Sequence, residues 1–180
     1  PAPSATLPFA LKDIRLEAPL PLDRSRGQVL DTRRIGDAVE TLACNPADPA
    51  GAVRVLSAQV VQAGECPAPQ PIHSLARRAP HPLDPAAHRA RLSALGLDHG
   101  PAFSPLHALS LAADGSAVLA QLARGPGEGE PFLLHPALLD GVFQAALGLT
   151  VGAQTLVPVS VASCTVHAPL PARCWAWVTF

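Results

Sequence analysis

Residues 135–149 read HPALLDGVFQAALGL, and their spacing predicts a helix that is apolar on most sides. A helix of that kind is a buried helix. Asp140 and Gln144 are its only polar interior side chains, and their separation of four positions places them on one face, one turn apart. The apolar positions form two neighbouring stripes: Leu138, Val142, Ala145 and Leu149, and beside them Leu139, Phe143 and Ala146.

Asp140 is a candidate catalytic acid because a carboxylate on a buried helix is costly unless it is paired, protonated or functional. An apolar wall favours the neutral carboxyl, and a neutral acid is what an enzyme needs to protonate a leaving hydroxide. Gln144 would orient the acid through its amide. The residue pattern alone leaves a second interpretation open, in which Asp140 caps the start of the helix and Gln144 faces solvent at a sheet edge.

Composition excludes several classes of function. The 180 residues are 48% hydrophobic and 15% charged, with a formal net charge of −1, so no basic field indicates nucleic acid or a membrane surface. No run of about 20 apolar residues predicts a membrane span. The four cysteines form no C-x-x-C pair, which argues against zinc and for reduced thiols in a cytoplasmic protein. With no Met and an apolar strand at its end, the chain reads as a piece of a longer polypeptide.

Residues 1–63 predict a strand-rich unit. Alternating polarity over residues 14–18 indicates one half-buried strand, and residues 39–44 and 51–62 indicate two more. Asn, Asp and Pro at residues 45–49 provide turn chemistry between the last two. The three strands suit an antiparallel meander.

Residues 64–84 are dense in proline. Proline interrupts helices and removes a donor from sheets, so we expect neither helix nor central strand there. The stretch predicts an extended linker between two sub-structures.

A second unit is predicted from residue 85 onward. Residues 85–95 indicate a short helix, with Asp84 as its N-cap and Pro85 as its first helical residue. Residues 107–112 and 117–123 alternate in polarity about Asp114-Gly115, which is a strong hairpin signal. Two further strands are expected at residues 156–166 and 174–180. Strands, linker, helix, hairpin, buried helix and strands together predict the α+β class.

Two motifs carry a family resemblance. Residues 135–144 resemble the signature of polyketide synthase dehydratases, in which HPALLD leads into D-x-x-x-Q or D-x-x-x-H. Residues 96–103, GLDHGPAF, resemble the family's G-Y-x-Y-G-P-x-F. The resemblance spans nearly the whole chain and implies a double hotdog, in which antiparallel sheets each wrap a central helix. Residues 1–63 would be the first hotdog, truncated at its start; residues 64–84 the linker; and residues 85–180 the second hotdog, truncated at its end.

The resemblance also implies an activity. The family removes water from 3-hydroxyacyl thioesters on an acyl carrier protein, without a metal or diffusible cofactor, because the substrate is carried on the phosphopantetheine arm. Asp140 would protonate the departing C3 hydroxyl, with Gln144 as its partner. The implied substrate-binding residues are Gly100, Pro101, Phe103 and Leu139. Neighbouring synthase domains and a second copy of the domain are the other implied partners.

The sequence departs from the family pattern in three places. The family's base lies in H-x-x-x-G-x-x-x-x-P, and none of the seven histidines has glycine four residues later, so the base would precede Pro1. Both motif tyrosines are absent, and Leu97 and His99 replace them. His99 can still donate a hydrogen bond where the second tyrosine hydroxyl would, so it is a third candidate catalytic residue. Gly141 follows the acid, where it admits a close approach of substrate or of another helix.

Two other functions share this fold. A silent dehydratase-like domain would serve for dimerisation or carrier docking. A cyclase or a double-bond isomerase would use the same two halves for different chemistry. A histidine in the family pattern upstream of residue 1 separates the dehydratase from the silent domain.

We predict that the 180-residue chain alone forms no enoyl thioester from a 3-hydroxyacyl carrier substrate, because it holds only half of the acid–base pair. Mass spectrometry of the carrier-bound product measures this directly. Dehydration by the chain alone would show that a base lies within it.

Overall fold

The computed structural model of the chain describes residues 7–20, 27–125, 132–147 and 157–179. The chain divides into two compact units. Unit 1 comprises residues 1–66 and 157–168, and unit 2 comprises residues 67–156 and 169–180. In chain order the elements are β1 (Phe9–Leu16), β2 (Val29–Ile35), β3 (Ala38–Asn45), β4 (Asp48–Val61), α1 (Ile72–Arg78), β5 (His81–Leu83), α2 (Pro85–Ala94), a 3-10 turn (Pro101–Phe103), β6 (Leu106–Leu111), β7 (Ala117–Ala123), α3 (Pro136–Ala146), β8 (Ser160–Val166) and β9 (Arg173–Thr179).

Unit 1 is an antiparallel sheet of five strands in the order β2-β3-β4-β1-β8. The expected strands near residues 14–18, 39–44 and 51–62 are present as β1, β3 and β4, but they do not form the expected meander. β1 pairs with β4 and not with β3, whose neighbours are β2 and β4. β2 was missed because all seven of its residues are exposed, so its sequence carries no half-buried period. Gly36 joins β2 to β3 with φ of +60°, as the first position of a two-residue hairpin loop requires.

Unit 2 is an antiparallel sheet of four strands in the order β5-β6-β7-β9, with α3 packed against it. The predicted hairpin is confirmed: β6 pairs with β7, and Gly115 takes φ of +73°. Both predicted helices are present, although residues 148–149 at the expected end of the second lie outside the described residues. The core of the unit is one cluster from the sheet and the helix: Leu106, Leu109, Val118, Ala120, Leu122, Leu138 and Ala145.

The prediction that residues 64–84 form a linker without regular structure is wrong in part. α1 and β5 lie within it, because the prolines flank these elements or are tolerated. Pro71 precedes the first residue of α1, and Pro82 lies in a three-residue edge strand, where a missing donor costs no ladder bond. Leu75 of α1 is buried against Leu119 of β7, so packing supports this short helix.

The predicted boundaries at residues 63 and 85 also differ from the observed division. The strand expected within residues 85–180 at residues 156–166 is β8, and β8 pairs with β1 over six residue pairs, from Phe9↔Val166 to Arg15↔Ser160. Residues 157–168 therefore belong to unit 1, because strand pairing is a long-range choice that no local pattern encodes. The assignment of the two halves as first and second hotdog stays a prediction.

Gly141 lies where α3 meets its neighbours most closely. A Cβ at this position would stand 2.6 Å from Cγ of Pro105 and 3.0 Å from Cδ2 of Leu122. Pro105 and Leu122 are both fully buried, so neither has room to withdraw. The close neighbour is therefore neither a substrate nor another helix, as the sequence led us to expect, but Pro105 and the strand residue Leu122.

We expect Gly141→Val to lower the free energy of unfolding by at least about 2 kcal/mol, because the added atoms overpack a rigid contact. Gly64→Val is the matched control, since nothing lies within 4 Å of a Cβ at Gly64, and should change stability by less than about 0.5 kcal/mol. Chemical denaturation of both variants gives the comparison. Equal losses would mean that the packing at Pro105 is not the constraint.

Candidate active site

α3 holds the two candidate residues Asp140 and Gln144 one turn apart. The helix begins at Pro136 because proline is preorganised for the first helical position, and His135 precedes it in an extended conformation as the N-cap. Asp140 therefore does not cap the helix. Nε2 of Gln144 donates to Oδ2 of Asp140 at 2.6 Å, so the expected pairing along one helix face is present.

The amide of Gln144 makes a second hydrogen bond, to a different element. Nε2 donates to the backbone oxygen of Phe103, at the end of the 3-10 turn, at 3.0 Å. An amide nitrogen carries two N–H donors, and both are used. Because the carbonyl of Phe103 can only accept, rotating the amide by half a turn would lose this bond. Gln144 is 4% exposed, which excludes the interpretation that it faces solvent.

The expectation that α3 is apolar and buried on most sides is wrong for one face. The buried residues of α3 lie on one side: Ala137, Leu138, Gly141, Gln144 and Ala145. On the other side Leu139 is 39% exposed, and the side chain of Asp140 keeps 34% of its surface. The carboxyl of Asp140 is thus half-buried, and its Oδ2 faces the protein.

His99 approaches the same carboxyl. Its Nε2 lies 3.5 Å from Oδ2 of Asp140, and its side chain is 18% exposed. Its Nδ1 is buried and has no hydrogen-bond partner among the described residues. The structure therefore brings three of the predicted residues, Asp140, Gln144 and His99, together around one oxygen atom.

The residues predicted to bind substrate lie beside this cluster and are exposed to solvent. Gly100, Pro101 and Phe103 are exposed, with Phe103 at 40%. The carbonyl of Gly100 accepts from the backbone nitrogen of Phe103 at 2.9 Å and from Oγ of Ser104 at 3.2 Å. These bonds hold the turn that presents the Phe103 carbonyl to Gln144. A role of these residues and of Leu139 in substrate binding stays a prediction.

Two residues of α2 were missed by the sequence analysis. His88 is only 6% exposed, and its Nε2 lies 2.9 Å from the backbone oxygen of Gln144. Arg91 donates from Nη2 to the backbone oxygen of Leu147 at 3.2 Å. The signal for His88 was its spacing of four residues from Leu92, since both are the buried residues of α2.

His88 and Arg91 both form hydrogen bonds to carbonyls at the C-terminus of α3, where carbonyls lack partners within the helix. Burial lowers the pKa of His88 below its ordinary value of 6.5, and the charge of Arg91 lowers it further, against the opposing effect of the bond to Gln144. The imidazole is therefore neutral at neutral pH.

Within residues 7–20, 27–125, 132–147 and 157–179, no group of three or more His, Cys, Asp or Glu side chains is placed to hold a metal ion. No helix in the described part of the chain combines the length and the apolar character needed to cross a bilayer.

The lowered pKa of His88 predicts a pH-dependent stability. The unfolded chain binds a proton near pH 6.5 that the folded chain rejects, so the stabilising contribution is present above that pH and is lost as the pH falls from about 6.5 toward the folded-state pKa. We expect wild type to lose stability relative to His88→Gln between pH 7.5 and pH 5, measured by chemical denaturation. A constant difference between the two proteins would contradict the assignment.

Comparison with solved structures gives the fold. The dehydratase domain from the CurK module of curacin polyketide synthase matches with a TM-score of 0.83 at 16% identity, covering 98% of this chain and 65% of that one. Two inactive variants of CurK dehydratase match similarly. A histidine-to-phenylalanine variant has a TM-score of 0.84 at 16% identity, covering 98% of this chain and 65% of that one. An aspartate-to-asparagine variant has a TM-score of 0.83 at 15% identity, also covering 98% of this chain and 65% of that one.

The dehydratase domain of RzxB from Pseudomonas fluorescens matches with a TM-score of 0.74 at 20% identity, covering 96% of this chain and 64% of that one. These matches confirm the predicted α+β hotdog class. The chain spans about 65% of the length of the CurK domain. No curated protein gives a significant match.

A family model described as the polyketide synthase dehydratase N-terminal domain matches residues 67–180. The description names the N-terminal domain, whereas the motifs led us to expect the second hotdog within the same residues. The match covers more than half of the chain and includes α3, the 3-10 turn and α2. The chain therefore belongs to the polyketide synthase dehydratase family.

Proposed function

We propose that this chain is part of a dehydratase that eliminates water from 3-hydroxyacyl thioesters on an acyl carrier protein, giving 2-enoyl thioesters, and that Asp140 is the acid. The proposal rests on the geometry of the Asp140 carboxyl. Oδ2 of Asp140 is engaged by Gln144 at 2.6 Å, while Oδ1 has no hydrogen-bond partner in the described part of the chain. The half-buried side chain thus offers Oδ1 to a ligand.

The hydrogen bond from Gln144 decides which oxygen carries the proton. The unprotonated oxygen of a carboxyl is the stronger acceptor, so the N–H of Gln144, whose orientation the Phe103 carbonyl fixes, favours a proton on Oδ1 over one on Oδ2. The neutral acid therefore bears its hydrogen on Oδ1. That hydrogen is transferred to the C3 hydroxyl as the C3–O bond breaks, and the product is water.

The same bond strengthens as the reaction proceeds. When Oδ1 gives up its proton, negative charge develops on the carboxyl, and the N–H of Gln144 becomes a charge-assisted donor to Oδ2. A donor that is fixed in place before the reaction stabilises such charge without reorganising. His99 adds a second nitrogen 3.5 Å from Oδ2, in the position where the family motif has tyrosine.

A base must remove the C2 proton, which the thioester carbonyl acidifies. The electrons of that C–H bond form the C2–C3 double bond as hydroxide leaves from C3. No histidine of these 180 residues stands in the family pattern for this base, and the chain spans 65% of the CurK domain. We therefore assign the base to a segment of the domain other than these residues.

One acid and one base suffice for the elimination, so the proposal needs no metal and no diffusible cofactor. The acyl chain would lie along the exposed residues Gly100, Pro101, Phe103 and Leu139, which adjoin the acid. The carrier protein presents the chain on its phosphopantetheine arm, and neighbouring synthase domains and a second copy of the domain are the other partners. The four cysteines are free, in keeping with the reducing cytoplasm that we propose as the compartment.

The inactive aspartate-to-asparagine variant of CurK dehydratase supports an essential aspartate in this fold. We expect Asp140→Asn in the complete dehydratase domain to reduce enoyl formation by at least about 100-fold, because asparagine cannot transfer a proton. The readout is mass spectrometry of the carrier-bound product.

Asp114→Asn is the matched control. Asp114 is an exposed residue that accepts from Ser116 in the β6–β7 turn, and its replacement should leave turnover within about twofold of wild type. Turnover by Asp140→Asn equal to that of the control would refute Asp140 as the acid.

A further inference from the structure

His88 is distant from the candidate acid in sequence, yet it contacts the residue that holds the acid. Nε2 of His88 lies 2.9 Å from the backbone oxygen of Gln144. His88 is 6% exposed and Gln144 is 4% exposed, so water does not replace this contact. The side chain of the same Gln144 donates to Asp140 and to Phe103. One residue therefore joins α2 to the acid.

The direction of the contact fixes the state of the imidazole. A carbonyl oxygen can only accept, so Nε2 of His88 carries the hydrogen and donates it. Burial lowers the pKa of this histidine, which leaves Nδ1 without a proton. The group is thus a neutral imidazole with its hydrogen on Nε2.

We propose that His88 is a positioning residue for the acid of the proposed dehydratase. Gln144 lies two residues before the end of α3, in the turn whose carbonyls lack partners within the helix. The bond from His88 fixes that turn and with it the origin of the Gln144 side chain. From that origin the amide reaches both the Phe103 carbonyl and Oδ2 of Asp140. The inference rests on the proposed function for its catalytic consequence, but not for its geometry.

Arg91 offers a comparison that separates positioning from general support of the helix. It also lies on α2 and also donates to a carbonyl at the C-terminus of α3, that of Leu147. Leu147 contributes no side chain to the candidate site. If α2 acts only by capping α3, removal of either donor should have the same effect on the acid. If His88 acts through Gln144, removal of Arg91 should spare the acid.

Kinetics of the complete domain measure the catalytic consequence. His88→Phe keeps a ring of similar size without a donor, and we expect kcat to fall by about tenfold with KM unchanged, as for loss of one buried positioning hydrogen bond. His88→Gln retains an N–H at comparable reach and should restore kcat to within about threefold of wild type. Arg91→Met should leave kcat within about twofold while it lowers stability. Equal loss in His88→Phe and Arg91→Met, or no rescue by His88→Gln, would overturn the proposal.

Nuclear magnetic resonance of the 180-residue chain tests the geometry without any activity. In wild type we expect the neutral Nε2–H tautomer of His88 and two hydrogen-bonded side-chain amide protons on Gln144. In His88→Phe these two protons should move toward the values of a free amide, whereas in Arg91→Met they should not. An Nδ1–H tautomer in wild type would overturn the proposal, whether or not His88→Phe folds. Altered amide protons together with full activity of Asp140→Asn would refute the proposed acid but not the positioning.

Discussion

The side-chain amide of Gln144 donates both of its N–H groups, one to the Phe103 carbonyl and one to Oδ2 of Asp140. Because Gln144 is 4% exposed, neither donor has water as a substitute, and a buried donor without a partner costs about 1–3 kcal/mol. The two bonds therefore connect the 3-10 turn to α3 and set the direction of the amide. They also divide the carboxyl of Asp140 into an occupied oxygen and an open one.

The chemistry of the candidate site depends on a difference in burial between Gln144 and Asp140. Gln144 is buried, whereas the side chain of Asp140 keeps 34% of its surface. A fully buried acid would be beyond the reach of a substrate, and a fully exposed one would be solvated by water that replaces the fixed N–H donor. Gly141 makes this arrangement possible, since α3 approaches Pro105 more closely than any side chain at that position allows. The carbonyls at the end of α3 are in turn satisfied by α2.

Local sequence was sufficient to predict an element where a periodic pattern coincides with a residue that favours a turn or a helix start. The β6–β7 hairpin follows from two alternating segments about Asp114-Gly115, and α3 follows from its apolar spacing after Pro136. The pairing of Asp140 with Gln144 follows from their separation on a helix. The strand β2 was missed because its seven residues are all exposed. The pairing of β8 with β1 joins residues about 150 positions apart, and no local pattern specifies such a partner.

The exposed face of α3 and the burial of His88 are two further features that local sequence does not specify. The apolar residue Leu139 predicts burial, yet it is 39% exposed, because it does not share the face of α3 that holds the buried residues. His88 is a polar residue that follows a proline-rich segment, so the local sequence gives no sign that it is buried. Its burial depends on where α2 crosses the end of α3, which is a tertiary contact.

A crystal structure of the complete domain with a 3-hydroxyacyl pantetheine amide, an analogue that retains the C3 hydroxyl, tests the central claim most directly. The account predicts the C3 oxygen at about 2.5–3.0 Å from Oδ1 of Asp140, with Oδ2 still bonded to Gln144. A hydroxyl bound to another side chain, with Oδ1 of Asp140 left without contact to the analogue, would contradict it.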